Sequence, residues 1–257
     1  MVKQAHYNIS SKVKKLDDPQ LNKHIKWIKS QIPEGRSDFA IAIGGDGEVL
    51  NAFHKYPQHK ILGMKIEDGR SLGFFSAVNL NEVDEKVIQD IKNDKYTSLS
   101  LPLLACEVGK RRIPILNDVA IIRRPNGKSG KFEVDVGGDI FQASGDGVII
   151  STPGGSSSYN FASGGSIISW NLYAYSVRFF NLTRGLRSVS LIVPGDTITK
   201  VTNLYDAFIE IDGAGFEINP ETQVITHLTE KHAKIISFEY HAQLQRLKRM
   251  LRSTKID

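Results

Sequence analysis

The stretch FAIAIGGDGEVLNAF, from Phe39 to Phe53, determines how the first part of the chain folds. It opens with a continuous apolar run that ends in glycines, as a buried strand of a parallel sheet does. The residues after the glycines have the apolar spacing of a helix, which Pro57 ends. The stretch therefore predicts a strand, a glycine loop and a helix. The loop carries a carboxylate, Asp46, just where the strand ends.

Strands and helices continue to alternate on both sides of this stretch. Before it, residues 19–32 place apolar side chains at helical spacing. After it, residues 60–66 form a second apolar run typical of a buried strand, and residues 81–94 predict a helix with one apolar stripe. This order is typical of a doubly wound α/β domain with a parallel sheet.

From about residue 97 the sequence changes to strand-like runs separated by turns, and helical patterns become scarce. VDVGGDIFQAS, residues 134–144, predicts a hairpin that turns at Gly137 and Gly138. We therefore expect an α/β domain over residues 1–98 and a β-rich domain over residues 99–234. The C-terminal segment, residues 235–257, is expected to return to the first domain and complete it.

The composition restricts the class of protein. The 257 residues contain a single cysteine, Cys106, which excludes an intrachain disulfide. No apolar run reaches the roughly 18 residues of a membrane span, and residues 1–18 do not have the pattern of a secretory signal. We therefore expect a cytoplasmic protein with no membrane partner. The net charge of +5 favours anionic ligands, but no nucleic-acid-binding motif is present, so no nucleic-acid partner is expected.

The GGDG loop, residues 44–47, is the first stretch that indicates chemistry. Backbone amides of glycines at the carboxyl end of a strand can approach phosphate oxygens closely. The loop lacks the lysine of a P-loop and the spacing of a dinucleotide fingerprint. An aspartate beside phosphates repels them unless Mg²⁺ intervenes or it faces a hydroxyl that it can deprotonate. The loop thus suggests phosphoryl transfer to an alcohol, or else a tight turn in which Asp46 caps the next helix.

Two further stretches have side chains suited to a nucleotide. STPGGSSSY, residues 151–159, offers hydroxyls and backbone amides that could bind phosphate or ribose; the alternative is a flexible surface loop. In ILNDVAII, residues 115–122, the polar pair Asn117 and Asp118 interrupts an apolar strand. This pair could bind a base edge or a ribose, because buried polar groups need partners, or it could form a turn between two strands.

Taken together and in this order, the stretches resemble the NAD kinase family. The resemblance rests on GGDG at 44–47, GRSLGFFS at 69–76, LNDV at 116–119 and GDGVIISTPGGSSSYNFASGG at 145–165. GGDG alone is shared with diacylglycerol and sphingosine kinases. Four motifs in one order, with the spacing from STP to tyrosine retained, are far more specific.

The resemblance implies an α/β domain followed by a β-rich domain. It implies that ATP donates its γ-phosphoryl group to the 2′-hydroxyl of the adenosine ribose of NAD, which gives NADP. It further implies Mg²⁺ accompanying ATP and a homo-oligomer, either a dimer or a tetramer.

The resemblance also implies site residues by matching positions. Asp46 is the expected general base for the ribose hydroxyl. The expected nucleotide-binding residues are Gly45 and Gly47 near the phosphates, Phe74 on the adenine side, Asn117 and Asp118 on NAD, Thr152, Ser157 and Tyr159 along the dinucleotide, Asp146 toward the nicotinamide, and Asp212 from a neighbouring subunit or loop.

Two positions depart from the family pattern. Glu48 stands where most members have threonine, and Asp118 stands where glutamate is usual. Three functions therefore stay open: an NAD kinase, a related kinase that acts on another alcohol such as a lipid, and a dinucleotide-binding protein without catalysis. The sequence does not distinguish ATP from polyphosphate as the donor, or NAD from NADH as the acceptor.

Overall fold

The computed structural model describes residues 3–11, 18–37, 39–66, 74–125, 129–183, 189–238, 243 and 246–248. Contacts divide the chain into two compact units. The first unit comprises Met1–Ser100 and Ala233–Asp257, and the second comprises Leu101–His232. The domain boundaries expected from the sequence, after residues 98 and 234, stay a prediction.

The first unit contains a parallel sheet accompanied by helices. The elements are β1 (His6–Ile9), α1 (Pro19–Gln31), β2 (Phe39–Ile43), α2 (Asp46–Lys55), β3 (Lys60–Lys65), β4 (Ser76–Asn79), a 3₁₀ turn (Leu80–Glu82) and α3 (Glu85–Lys92), with the end of β16 (Gln223–Ser237). Strands β1, β2 and β3 pair in parallel, and β4 pairs in parallel with β3. Lys234 and Ile235, near the end of the long strand β16, also pair in parallel with β3.

Local sequence explains most of these boundaries. All five residues of β2 are buried, as expected for a strand covered on both faces. Helix α1 begins where the Asp18 carboxylate accepts hydrogen bonds from the amides of Gln20 and Leu21, with Pro19 in the first turn. The helix predicted over residues 81–94 is α-helical only over Glu85–Lys92. Asp84 caps it there, so the residues before the cap form a separate 3₁₀ turn.

The second unit is built from antiparallel strands. The elements are β5 (Thr97–Val108), β6 (Arg111–Ile115), β7 (Asp118–Arg123), β8 (Gly130–Val136), β9 (Asp139–Gly145), β10 (Gly147–Ser151), a 3₁₀ turn (Gly155–Ser157), α4 (Tyr159–Ala162), β11 (Ala174–Phe180), β12 (Val189–Pro194), β13 (Thr199–Asn203), β14 (Ala207–Ile211) and β15 (Ala214–Ile218), with the first part of β16. Six of these strands form one sheet in the order β12-β11-β10-β7-β14-β15. Of the others, β13 pairs with both β8 and β16, β8 with β9, and β5 with β6.

The predicted fold class is confirmed, and so is the hairpin between β8 and β9. Gly137 and Gly138 have φ angles of 63° and 103°, a left-handed conformation that glycine adopts without strain and that suits a two-residue hairpin turn. Each unit has its own apolar core. The core of the first includes Ile28, Ile41, Ile43, Leu62 and Met64, and that of the second includes Leu104, Val119, Ile150, Tyr175 and Ile209.

Two features of the fold were not predicted. The short strand β1 pairs with β2, although its sequence HYNI has little apolar character. Near its end the chain forms one long strand, β16, although three exposed polar residues at its middle, Glu230, Lys231 and His232, interrupt the apolar pattern of the sequence. Among the described residues, no helix has the length and apolarity needed to cross a bilayer.

Candidate functional site

Asp46 is the first residue of α2, directly after the glycines that follow β2. Its carboxylate accepts two backbone hydrogen bonds, from the amide of Phe74 to Oδ2 at 2.8 Å and from the amide of Phe75 to Oδ1 at 2.7 Å. The N-cap of α2 is Gly45, so the alternative in which Asp46 caps this helix does not describe the structure. The two amides fix the orientation of the carboxylate.

The surroundings of Asp46 pull its pKa in opposite directions. Burial raises the pKa above the ordinary value for an aspartate, and this is the largest effect. The amides of Phe75 and Phe74 and the positive charges of Arg246 and Lys65 lower it, but the net shift is upward. A carboxylate with a raised pKa accepts a proton more readily at neutral pH, which suits a general base.

Glu48, which departs from the family pattern, has partners within the first unit. The Nδ2 of Asn8, in β1, donates to its Oε2 at 2.9 Å and to its backbone oxygen at 3.3 Å. The Nδ2 of Asn51 lies 3.5 Å from the other carboxylate oxygen. Glu48 therefore connects the start of α2 to β1 through hydrogen bonds.

The other predicted residues of the first unit differ in exposure. Phe74 is buried and its ring meets that of Phe75 edge to face, with the ring centres 6.0 Å apart. Gly45 is half-buried and Gly47 is exposed, so the loop backbone faces solvent at Gly47. Residues 69–73 of the GRSLGFFS motif lie outside the described residues.

In the second unit, Asp212 holds the loop that carries Asn117 and Asp118. Its carboxylate accepts hydrogen bonds from the backbone amides of Leu116 at 2.9 Å, Asn117 at 2.7 Å and Asp118 at 3.2 Å. Sequence matching suggested that Asp212 reaches the site from a neighbouring subunit or loop. In this chain Asp212 holds the loop of Leu116, Asn117 and Asp118, and its contact with a nucleotide from a neighbouring subunit or loop stays a prediction.

Thr152 holds the same loop through its side-chain hydroxyl. Its buried hydroxyl donates to the backbone oxygen of Leu116 at 2.6 Å and accepts from the amide of Gly155 at 2.9 Å. The hydroxyl that was expected to line the dinucleotide is therefore engaged with the backbone. Ser157 and Tyr159 remain half-buried on the next turns of chain.

Among the predicted site residues, Asn117 and Asp118 give the clearest indication of a ligand-binding site. Their side chains are 6% and 7% exposed. Asn117 Oδ1 and Asp118 Oδ2 have no hydrogen-bond partner among the residues that the structure describes. Buried polar atoms are nearly always hydrogen-bonded in folded proteins, so these two oxygens indicate that a ligand or water completes the site.

Asp118 carries a strongly raised pKa. Burial, followed by the nearby carboxylates of Asp212 and Glu210, raises the pKa of Asp118 to about 8, and a hydrogen bond from the backbone amide of Tyr159 opposes this only in part. At neutral pH Asp118 is therefore mostly protonated. It can donate a hydrogen bond and does not repel an anionic ligand.

This pKa predicts how stability depends on pH. In the unfolded chain an aspartate has a pKa of about 3.9, so the folded state binds the proton of Asp118 more tightly. The contribution of the protonated Asp118 to the stability of the folded state is complete below about pH 4 and is lost as pH rises toward about 8. We therefore compare the free energy of unfolding of Asp118→Asn with that of the unmodified protein. The difference, variant minus unmodified protein, is expected to be more positive at pH 8 than at pH 5, by a few kcal/mol at most. Urea unfolding at both pH values measures this, and an equal effect at both would contradict it.

Asp146 belongs to a separate network in the second unit. Its Oδ1 accepts from Arg123 Nε at 2.6 Å and its Oδ2 from Asn181 Nδ2 at 2.9 Å. The hydrogen bonds from these two side chains keep the pKa of Asp146 below its ordinary value. Asp146 is therefore an ionised, oriented carboxylate. Sequence reasoning missed Arg123 and Asn181, which lie 23 and 35 residues away along the chain.

The structure thus forms two groups from the predicted residues. In the first unit the backbone amide of Phe74 binds the Asp46 carboxylate. In the second unit hydrogen bonds connect the Asn117 loop with Thr152, Asp212 and the start of α4.

Comparison with known proteins identifies relatives that cover most of the chain. A family model described as the ATP-NAD kinase C-terminal domain matches residues 116–238. The NAD kinase of Thermosipho melanesiensis is 32% identical over 76% of this chain and 74% of its own length. That of Lacticaseibacillus paracasei is 30% identical over 79% of this chain and 80% of its own length. The NAD kinase of Clostridium beijerinckii is 29% identical over 79% and 74%.

Solved structures share the fold at low sequence identity. A yeast NADH kinase complexed with NADH superposes with a TM-score of 0.82 at 16% identity and covers 100% of this chain and 89% of that one. An NAD kinase from Archaeoglobus fulgidus in complex with ATP gives a TM-score of 0.75 at 18% identity, over 98% and 99%. The resemblance found in the motifs is therefore confirmed, and the chain belongs to the NAD kinase family.

Proposed function

We propose that this chain transfers the γ-phosphoryl group of ATP to the 2′-hydroxyl of the adenosine ribose of NAD and so produces NADP. The observation that carries this proposal is the Asp46 carboxylate, which lies at the end of β2 and is held by two backbone amides. A ribose hydroxyl is a poor nucleophile until a base takes its proton. In the described part of the chain, Asp46 combines this position with a raised pKa.

The transfer requires one proton acceptor and alignment of the phosphates. Asp46 takes the proton of the 2′-hydroxyl as that oxygen attacks the γ-phosphorus. The bond between the γ-phosphorus and the bridging oxygen breaks, and ADP leaves. Phosphoryl transfer needs positioning and charge neutralisation more than covalent catalysis. The amides of the glycine loop, with Gly45 and Gly47, and the start of α2 would contribute to both.

Magnesium would enter with the donor, as the substrate MgATP. Mg²⁺ in kinase sites is bound largely by the phosphates and water, with one or two carboxylates. Within the described residues, no three His, Cys, Asp or Glu side chains form a metal-binding group.

The dinucleotide would be held in the second unit by Asn117 and Asp118. Their two buried oxygens, which have no hydrogen-bond partner in the described part of the chain, suit the polar groups of a base or ribose. A protonated Asp118 can donate to a ligand oxygen and avoids charge repulsion with the pyrophosphate. Ser157 and Tyr159 would line the rest of the dinucleotide, and Asp146 would lie toward its nicotinamide end.

The experiment is an assay of the purified protein with MgATP and NAD, in which NADP is measured with an NADP-specific dehydrogenase. We expect NADP formation that depends on ATP. The same assay with polyphosphate, NADH or diacylglycerol defines the donor and the acceptor. Folded protein that binds NAD but forms no NADP would contradict the proposal and favour a non-catalytic dinucleotide-binding protein.

We further propose a cytoplasmic homo-oligomer. The second unit exposes large apolar side chains, including Ile140 and Phe141 on β9, which are 63% and 40% exposed, and Ile192 on β12 at 48%. Exposed apolar residues on terminal strands of sheets favour association with another chain. Light scattering after size-exclusion chromatography is expected to give a dimer or tetramer, and a monomer at micromolar concentration would contradict this.

A further inference from the structure

Arg246, in the C-terminal segment, is a buried arginine close to Asp46. Its side chain is only 2% exposed. A buried guanidinium group is costly unless hydrogen bonds and opposite charge compensate for lost hydration. Its Nη1 donates to the backbone oxygen of Phe74 at 2.6 Å. The same residue, Phe74, donates its amide to Asp46 Oδ2.

These bonds connect the arginine to the carboxylate through one short piece of backbone. The amides of Phe74 and Phe75 determine where both oxygens of Asp46 point. Arg246 fixes the carbonyl of the peptide that joins these two residues, since that peptide contains the oxygen of Phe74 and the nitrogen of Phe75. A change at residue 246 would therefore move the donors that orient Asp46.

The charge of Arg246 acts on Asp46 as well. Burial favours the protonated acid, and Arg246 and Lys65, the latter at the end of β3, are the cations that oppose this. The nearest acid on the same helix, Glu48, is bound by Asn8. Without Arg246, Lys65 and the two amides alone would favour the carboxylate.

We propose that Arg246 is a positioning residue for the phosphoryl transfer, which holds the Phe74–Phe75 peptide in place and maintains Asp46 as an oriented carboxylate. This inference rests on the proposed role of Asp46 as the general base. Arg246 is buried, whereas Lys248, two residues later, is exposed.

The test compares Arg246→Gln and Arg246→Lys with Lys248→Gln, which removes a positive charge from an exposed position two residues away. The first readout is the dependence of kcat/KM on pH. In Arg246→Gln we expect the acid limb of the kcat/KM profile to shift to higher pH by about one unit, because the positive charge that favours the Asp46 carboxylate has been lost. We also expect kcat/KM at neutral pH to fall about a hundredfold, because the base is misplaced.

Arg246→Lys keeps the charge but not the planar fork of donors. It is expected to leave the acid limb in place and to lower kcat at every pH. The second readout is infrared titration of the protonated Asp46 carboxyl band, which is assigned by its absence in Asp46→Asn. Its midpoint should rise in Arg246→Gln and stay unchanged in Lys248→Gln.

The proposal is overturned if Arg246→Gln and Lys248→Gln share the same acid limb and infrared midpoint, even when the overall rate falls. If Arg246→Gln does not fold, Arg246→Lys decides, and a kcat equal to that of Lys248→Gln overturns the proposal. Wild-type turnover in Asp46→Asn would contradict the proposed base. If the enzyme requires Asp46 but Arg246→Gln leaves the acid limb of the pH profile unshifted, only the role of Arg246 is contradicted and that of Asp46 stands.

Discussion

Asp46→Asn is expected to lower kcat by roughly 10²–10⁴-fold, the usual contribution of a positioned general base, while NAD still binds. The amide has the shape of the carboxylate but cannot accept the proton of the ribose hydroxyl. It also has one oxygen where Asp46 has two, so one of the amides of Phe74 and Phe75 loses its acceptor. We therefore expect a stability loss of about 1 kcal/mol besides the loss of turnover.

Glu48→Gln is the matched control, because it makes the same change two residues later in the same helix. Its partner Asn8 lies on β1, and the variant is expected to retain most of its turnover. Turnover is measured as NADP formation, and NAD binding by calorimetry. An Asp46→Asn enzyme within tenfold of the unmodified one would remove Asp46 from the role of base.

The second large effect is expected at Gly155, where an added methyl group has no space. A Cβ at this position would lie 2.1 Å from the backbone oxygen of Asn117 and 2.4 Å from its Cα. The loop cannot move away easily, because Asp212 and Thr152 both form hydrogen bonds with its backbone. We expect Gly155→Ala to reduce the free energy of unfolding by about 3 kcal/mol and to raise KM for NAD, since Asn117 and its neighbour are displaced.

Gly154→Ala is the control for this substitution. A Cβ there would lie 3.4 Å from the backbone oxygen of Leu116, which is an ordinary van der Waals contact distance. We expect Gly154→Ala to change stability by no more than about 0.5 kcal/mol. Urea unfolding and NADP-formation kinetics of both variants make the comparison. Equal stability and equal KM in the two variants would contradict the crowding at Gly155.

The parts of the fold that sequence predicted are those with a local cause. The continuous apolar run Phe39–Ile43 indicates a buried strand by itself, and Gly137 with Gly138 favours a hairpin turn. Strand β1 was missed because four residues with little apolar character gain their structure only from pairing with β2. The middle of β16 was missed because its exposed polar residues look like a loop.

The candidate site was predicted in the same uneven way. Motifs identified Asp46, Asn117 and Asp118, because glycines and polar residues that follow or interrupt apolar strands are visible in the sequence. The sequence did not indicate which residues position these three side chains. Asp212 acts on amides 94 to 96 residues away, and Arg246 acts on a carbonyl 172 residues away. No spacing in the sequence encodes contacts at such distances.

The central claim is that one carboxylate takes the proton from the ribose hydroxyl. A crystal structure of the protein with bound NAD measures this most directly, through the distance between the Asp46 carboxylate oxygens and the 2′-hydroxyl oxygen of the adenosine ribose. We predict a distance of roughly 2.6–3.2 Å, either directly or through one water molecule. A ribose bound beyond the reach of Asp46, with its 2′-hydroxyl hydrogen-bonded to another side chain, would contradict the account.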